Sequence, residues 1–324
     1  MPSWIYQDLI GDPEDSTPAF KLQSTLNWAR ALAFEISSEH GQDSAAWNAS
    51  FRRGLSPTLA APTNPRPLLE SVEPLISSVS FSLSLQSIED QSETAAWLRP
   101  AGVVAWYYAL YGAVRSMLAS VAQPSGDDHR KTMRTYLSSL AGRLPHPFNM
   151  RARWIRNEEY AGHLPSVTTT THFDLSRAFE ERRDCSQGML LQYLKGTAKH
   201  YVDRVKEKLA DDFPDGFRTA AARAARDKRV EREVGLMHCA FRYRRKANYR
   251  DSLYLAYGQR NPTAAARFVR DLRTSAQAFS MLALAVLGRT SGPEALGNLR
   301  EDLSSSLRDV ASVAPQDRFW EFVT

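Results

Sequence analysis

Residues 236–257 are predicted to form a helix with one buried apolar face, and three polar side chains lie on that face. Wound at 3.6 residues per turn, this stretch brings leucine, methionine, alanine and aromatic side chains onto one arc. Arg244, Asn248 and Asp251 lie in the same arc at one-turn spacings. Burying such groups costs several kcal/mol unless they are paired or used. Two interpretations stay open: the three side chains pair with one another, or they form a site where this helix meets another element.

The segment from Arg218 to Arg250 has a larger net positive charge than the whole chain. It holds eleven basic and three acidic residues, a net of +8, whereas the whole chain carries +5. Most of these residues are arginines, whose planar guanidinium can bind a phosphate with two hydrogen bonds. The segment therefore predicts RNA or another phosphate-bearing partner, although a solvated basic helix face would show the same pattern. The residues predicted to contact nucleic acid are Arg226, Arg229, Arg232, Arg242, Arg245, Lys246 and Arg250.

The composition narrows the class of protein. Apolar residues make up 43% of the chain and charged residues 24%, which are ordinary globular values. Two cysteines provide neither a disulfide framework nor a zinc quartet, which is typical of a reducing cytoplasm. The first residues do not resemble a signal peptide, and no apolar run approaches the roughly 20 residues that span a bilayer. Without a Walker loop, a GxGxxG turn, an HExxH or a CxxC motif, we expect no cofactor and no metal.

Apolar spacing is helical along most of the chain and predicts an all-α bundle of long helices. Residues 101–122 are apolar on nearly every side, as in a central core helix, and Gly112 inside them predicts a close approach by another helix. The serine-rich stretch 68–87 alternates like a strand, but its surroundings favour a helix. Residues 38–66 are rich in Gly and Pro and predict a loop. Further helices are predicted at 17–36, 129–140, 148–161, 174–210, 217–234, 236–257 and 263–288.

The stretch YYALYGAVRSML, residues 107–118, resembles the tyrosine-rich helix of the HEPN superfamily, in which one branch also has a histidine at about the position of His129. The resemblance implies a helical bundle, often dimeric, and an activity as a metal-independent endoribonuclease of toxin or antiviral defence systems. It divides the chain into an N-terminal helical extension (1–95), an HEPN-like core (96–260) with an inserted basic segment (about 165–235), and C-terminal helices (261–324). Gly112 departs from the family, which usually has histidine there.

The family's usual signature is an arginine, often followed by a polar residue, and a histidine separated from the arginine by four to six residues. Arg156, Asn157 and His163 fit this form at what is predicted to be a helix end. The stretch from Arg244 to Tyr249, which includes Asn248, resembles a second form found in some branches, R-x-x-A-D-Y. Arginine would stabilise charge on the phosphate, and His or Tyr would move the proton. Spacing alone decides nothing, because chance supplies it as often as it occurs.

The sequence thus leads to two hypotheses. The first is a cytoplasmic RNA-binding protein that acts as a metal-independent endoribonuclease, with Arg244, Asn248 and Tyr249 or Arg156, Asn157 and His163 as catalytic residues. The second is a non-catalytic helical subunit whose basic face docks on nucleic acid or on an acidic protein. A homodimer and a regulatory protein partner are compatible with both hypotheses.

Overall fold

The computed structural model describes residues 16–59, 69–91, 98–123, 128–156, 159–163, 175, 178–249, 262–292, 294–299 and 301. Its helices are α1 (Ser16–His40), α2 (Ser44–Gly54), α3 (Leu69–Gln91), α4 (Arg99–Ser120), α5 (His129–Thr135), α6 (Arg183–Lys208), α7 (Ala220–Arg229), α8 (Leu236–Tyr249) and α9 (Pro262–Ser291). A π-helical turn (Tyr136–Leu140) and a 3₁₀ turn (Ala141–Arg143) continue α5. The strands are β1 (Arg151–Arg156), β2 (Glu159–His163) and β3 (Glu233–Gly235).

The all-α prediction is confirmed, with a small antiparallel sheet in the order β2-β1-β3 as the main addition. The predicted helix at 148–161 is wrong, because this stretch forms the β1–β2 hairpin. Its sequence RARWIR alternates with the period of a strand: Ala152 and Trp154 are buried, whereas Arg153 is exposed. The helix predicted at 217–234 ends at Arg229, and β3 then pairs with β1.

Two further boundaries differ from the prediction. Residues 38–66 contain the helix α2, whose first turn is capped by the Asp43 side chain accepting from the Ala46 amide at 2.7 Å. Helix α6 begins at Arg183, whereas the sequence predicted its start near residue 174. Of the predicted helix at 236–257, residues 236–249 are helical and 251–257 lie outside the described residues.

The serine-rich stretch is helical, as predicted, and its hydroxyls explain how. The Ser80, Ser82 and Ser84 hydroxyls each donate a hydrogen bond to the carbonyl oxygen four residues earlier. These polar groups are therefore satisfied within the helix α3 itself. The close approach predicted at Gly112 is confirmed. A Cβ there would lie 2.7 Å from the Pro74 carbonyl oxygen and 3.0 Å from the Ser78 nitrogen of α3.

One hydrophobic core joins side chains from all three predicted segments. Trp28 of α1 contacts Trp106 of α4 edge to face, with ring centroids 5.5 Å apart, and lies 4.9 Å from the Tyr243 ring of α8. Phe279 of α9 belongs to the same core. Tyr243 is anchored by a hydroxyl hydrogen bond of 2.7 Å to the carbonyl oxygen of Thr25. The three-segment division stays a prediction, but α1, α4, α8 and α9 pack around common residues.

None of the helices in the described part of the chain has the length and apolar character needed to cross a membrane.

Candidate functional site

A cleft of about 450 Å³ opens where α5, α6 and α8 meet. Helix α5 and the end of α7 close it at the sides, and α6 and α8 run along its two walls. Its lining is basic and aromatic, and the residues are Arg130, Arg134, His200, Tyr201, Arg204, Val205, Lys208, Arg229, Glu231, Phe241, Arg242, Arg245 and Lys246.

Helical spacing explains why the cations converge. On α6, Arg204 and Lys208 are one turn apart. On α8, Arg242 and Lys246 repeat the same spacing, with Arg245 beside them. The two helices therefore each direct a basic stripe at the cleft, and α5 adds Arg130 and Arg134 four residues apart.

Positive charge in the cleft is compensated only in part. Eight lysines and arginines face one carboxylate, that of Glu231, among the described lining residues. The guanidinium of Arg134 donates to both oxygens of Glu231, so it is neutralised and held at the rim. Arg204 is paired with Glu207 at 2.9 Å.

Four cations of the cleft carry no such compensation. Within the described part of the chain, Arg130, Lys208, Arg229 and Arg245 are exposed and have no carboxylate within ion-pair distance. An exposed cluster of this kind holds a loose counterion atmosphere that a polyanion can displace.

Three rings lie among these cations. Phe241 is partly buried, and its ring lies 5.9 Å from that of Tyr107 and 5.6 Å from that of His129. Tyr201 is likewise partly buried, with the His238 ring edge-on at 5.3 Å. These contacts hold both rings from the core side, so their remaining surface faces the cleft.

The third ring, His200, is unprotonated at neutral pH. Burial and the guanidinium groups of Arg242, Arg245 and Arg204 lower its pKa to about 4. The neighbouring Tyr201 has a pKa above its ordinary value because of burial, so its hydroxyl stays protonated and can donate. The cleft therefore offers a neutral base and a neutral donor within a cationic surface.

The predicted nucleic-acid contacts divide into three groups. The structure places Arg229, Arg242, Arg245 and Lys246 together in the cleft. Arg232 is exposed but does not line the cleft, and Arg250 lies outside the described residues.

Arg226 is buried and does not line the cleft. Its side chain is only 2% exposed, because it packs over the Trp154 ring at 5.6 Å and pairs with Asp227 at 2.8 Å. A guanidinium held in this way stabilises the junction of α7 with the sheet and cannot reach a phosphate.

Arg244 faces α4 and not the cleft. Its guanidinium carbon lies 5.2 Å from the centre of the Tyr107 ring and 5.0 Å from that of Tyr108, and its Nε is buried with no hydrogen-bond partner among the described residues. Tyr108 lines a second cavity of about 330 Å³, which is also lined by Tyr111, Arg115 and His129.

The companions predicted for Arg244 are Asn248, Tyr249 and Asp251. Asn248 and Tyr249 belong to the last turn of α8, but their side chains lie outside the described residues. Asp251 lies outside them altogether. The choice between mutual pairing and a catalytic group at this position therefore stays open.

The rival set is not brought together by its backbone. Arg156 pairs with Glu159 at the turn of the hairpin, whereas His163 pairs with Arg151 at its other end. Five residues of strand separate the two pairs, or about 16 Å. Asn157 lies outside the described residues. The convergence expected at a helix end fails because these residues lie on strands.

Half of the basic residues that line the cleft were not predicted from the sequence, and neither were His200 and Tyr201. The missed cations are Arg130, Arg134, Arg204 and Lys208. A signal existed, since His200, Arg204 and Lys208 recur at four-residue intervals on one helix. Their proximity to α8, about 40 residues further along, was not visible in the sequence. Elsewhere, the described residues include no group of three or more His, Cys, Asp or Glu side chains placed to hold a metal ion.

No family model matches the chain, and comparisons with curated proteins and with solved structures find no match either. The resemblance to the HEPN superfamily therefore stays a prediction. Function has to be argued from the site itself.

Proposed function

We propose that this protein binds RNA in the cleft between α5, α6 and α8. The observation that supports the proposal is the charge of the cleft, in which eight basic side chains surround about 450 Å³ with one carboxylate among them. Four of the cations are exposed and uncompensated within the described structure. Phosphate groups are the ligands that such a surface attracts most strongly.

RNA fits this cleft better than an acidic protein for two reasons. Arginine predominates over lysine, and its guanidinium matches the geometry of phosphate oxygens. Aromatic rings lie between the arginines, where bases can stack, whereas a carboxylate-rich peptide makes no use of them.

Salt dependence tests the proposal directly. We expect a labelled RNA of about 12 nucleotides to bind in fluorescence anisotropy, with the logarithm of the affinity falling linearly with the logarithm of the salt concentration. Engagement of the four uncompensated cations alone gives a slope of about −3, since each phosphate contact on a single strand contributes about −0.7.

A double variant tests whether RNA binds at the cleft. Arg130→Gln with Arg245→Gln removes one uncompensated cation from α5 and one from α8, and neither side chain has an ion pair with a described residue. We expect the slope to become shallower by about 1.4. The matched control is Arg52→Gln with Arg53→Gln, which removes the same charge from exposed positions of α2.

Three results would contradict the proposal. In the first, the control weakens RNA binding as much as the cleft variant does. In the second, single-stranded DNA of the same sequence binds more tightly than RNA. In the third, no RNA binds at low salt while an acidic protein or peptide does, which is the docking hypothesis.

The position of His200 in the cleft, beside Arg204, Arg242 and Arg245, supports a second candidate function, metal-independent cleavage of the bound strand. A base with a pKa of about 4 is weak at neutral pH, so we expect this cleavage to be slow. In this step, His200 takes the proton of a ribose 2′-hydroxyl while the 2′-oxygen attacks the adjacent phosphorus. The bond from phosphorus to the 5′-oxygen breaks, and the leaving oxygen takes a proton from water. The resulting hydroxide takes the proton that His200 received, which restores the neutral imidazole. The products are a 2′,3′-cyclic phosphate and a 5′-hydroxyl, and the neighbouring guanidinium groups stabilise the charge on the phosphate.

Incubation of the protein with total RNA in EDTA tests cleavage separately from binding. We expect fragments ending in cyclic phosphate from the wild type and from His163→Ala, and none from His200→Gln. Binding of intact RNA without cleavage would leave a non-catalytic docking protein, and would remove support from the toxin or defence role that the HEPN resemblance implies. Loss of cleavage in His163→Ala alone would transfer the role to the rival set.

A further inference from the structure

The aromatic part of the cleft indicates which form of RNA it receives. We infer that the cleft takes in an unpaired nucleotide, with its base against Phe241 and Tyr201, so that the protein selects single-stranded RNA over duplex RNA. This inference rests on the proposed RNA binding and adds the substrate class to it.

The size of the cleft is the first argument. A volume of about 450 Å³ is in the range of pockets that enclose a single small molecule, and is suited to one nucleotide. In a duplex, each base is stacked and paired, so its faces and its Watson–Crick edge are not available to protein rings. Only a base from a single strand, a loop or a free end can enter.

The support of the rings is the second argument. Phe241 is held from behind by Tyr107 and His129, and Tyr201 by His238. A base that stacks on rings fixed in this way immobilises few additional side-chain torsions, so more of the stacking energy appears as affinity. Exposed rings on flexible loops would not have this advantage.

The spacing of rings and cations is the third argument. On α8, Arg245 follows Phe241 by four residues, and on α6, Arg204 follows His200 by four residues. Phe241 and His200 therefore each have a guanidinium about 6 Å further along the helix axis. That separation suits the base and the phosphate of one nucleotide, and the pattern occurs on both walls of the cleft.

The first test compares two RNAs of equal length, an unpaired adenine-rich strand and the same strand annealed to its complement. We expect the single strand to bind at least tenfold more tightly at the same salt concentration. A 2-aminopurine base within the single strand should lose fluorescence on binding to the wild-type protein, as it does when it stacks.

The second test separates stacking from charge. Phe241→Leu should weaken binding of the single strand roughly 5- to 150-fold, the range expected for one lost base stack, while the salt slope stays unchanged. Phe81→Leu is the matched control, because Phe81 is also a partly buried ring, stacked on Tyr108 at 5.4 Å, but does not line the cleft. If Phe241→Leu does not fold, Tyr201→Leu and the 2-aminopurine signal of the wild type provide the same information.

The outcomes distinguish this inference from the proposed function. Equal affinity for the two RNAs, or an unchanged 2-aminopurine signal on binding, overturns the inference but leaves RNA binding in place. Absence of binding to both RNAs overturns the proposed function itself. A Phe241→Leu variant that weakens duplex and single strand by the same factor also contradicts the inference, since it would show general damage to the cleft.

Discussion

Removal of the Glu35 carboxylate should destabilise the protein more than any surface substitution. Glu35 is fully buried on α1, and one of its oxygens lies 2.6 Å from the Gln187 amide nitrogen and 3.0 Å from His146 Nε2. Its other oxygen accepts from the Ser186 hydroxyl at 2.5 Å. Arg183 adds a longer contact of 3.4 Å. The carboxylate thus joins α1 to α6 and to the loop before the sheet.

The magnitude follows from the donors that would be left behind. The Ser186 hydroxyl has a second acceptor, the Arg183 carbonyl oxygen at 2.9 Å, and the half-exposed Arg183 can be hydrated. Gln187 and His146 lose a buried acceptor, at about 1–3 kcal/mol each. With the lost packing, Glu35→Ala should cost about 4 kcal/mol. Glu35→Gln keeps the shape and loses only the charge assistance, at about 2 kcal/mol.

Urea unfolding followed by circular dichroism measures both values. The control is Glu39→Gln, which breaks a partly exposed ion pair with Arg183 and should cost less than about 1 kcal/mol. A Glu35→Ala variant within about 1 kcal/mol of the wild type would refute the reasoning. So would a Glu39→Gln variant that costs as much as Glu35→Ala.

The Glu35 carboxyl also makes the stability of the protein depend on pH. Burial alone would raise the pKa of Glu35, but the hydrogen bonds from His146, Gln187 and Ser186 outweigh it, and the pKa lies below its ordinary value. A carboxyl with a lowered pKa in the folded state stabilises the protein above its unfolded-state pKa of about 4.5, and this contribution is lost as the pH falls through the folded-state pKa. Glu35→Gln should therefore reduce the loss of stability between neutral pH and acid.

Three further predictions concern other parts of the fold. Gly112→Ala should lower stability by about 1–3 kcal/mol in urea unfolding, despite the better helix propensity of alanine, because its Cβ would meet the backbone of α3; no loss would show that α3 can move away. Cys185 and Cys239 are buried, and burial raises the pKa of the Cys239 thiol to about 12, so iodoacetamide should label them only after denaturation, as mass spectrometry would show. Arg244→Met should cost about 1–2 kcal/mol of stability and change RNA affinity less than threefold; a large loss of affinity in the folded variant would place Arg244 in the site.

Much of the fold could be predicted from the sequence, because the spacing of apolar residues shows where a helix forms and which of its faces is buried. The core helix at 101–122 and the long helix at 263–288 were found in this way, and Gly112 correctly indicated a close neighbour. The hairpin was missed because RARWIR mixes arginines with apolar residues. Read with a helical period, it is an irregular amphipathic segment, and only the period of two shows that Ala152 and Trp154 share a buried face.

The site was predicted less well because charge density along the chain is not charge density in space. The basic run included Arg226, which is buried against Trp154. This contact could not be predicted, because Trp154 lies on a strand and the sequence predicted a helix there. The sequence prediction missed Arg130 and Arg204, which lie on helices outside the basic run. Four residues of the basic run, Arg229, Arg242, Arg245 and Lys246, line the cleft together because α8 and the end of α7 direct them to one side.

Arg244 and Arg245 are neighbours on α8 but contribute to different parts of the structure. The two residues have the same side chain, but a rotation of about 100° per residue directs one towards α4 and the other towards the cleft. Arg244 lies against two tyrosine rings, where its charge is stabilised by aromatic faces and its packing fixes α8 on the core. Arg245 is exposed and uncompensated within the described structure. Because the position of the cleft wall depends on the docking of α8, Arg244 positions the exposed Arg245, and basic residues that look equivalent in the sequence differ in what they contribute.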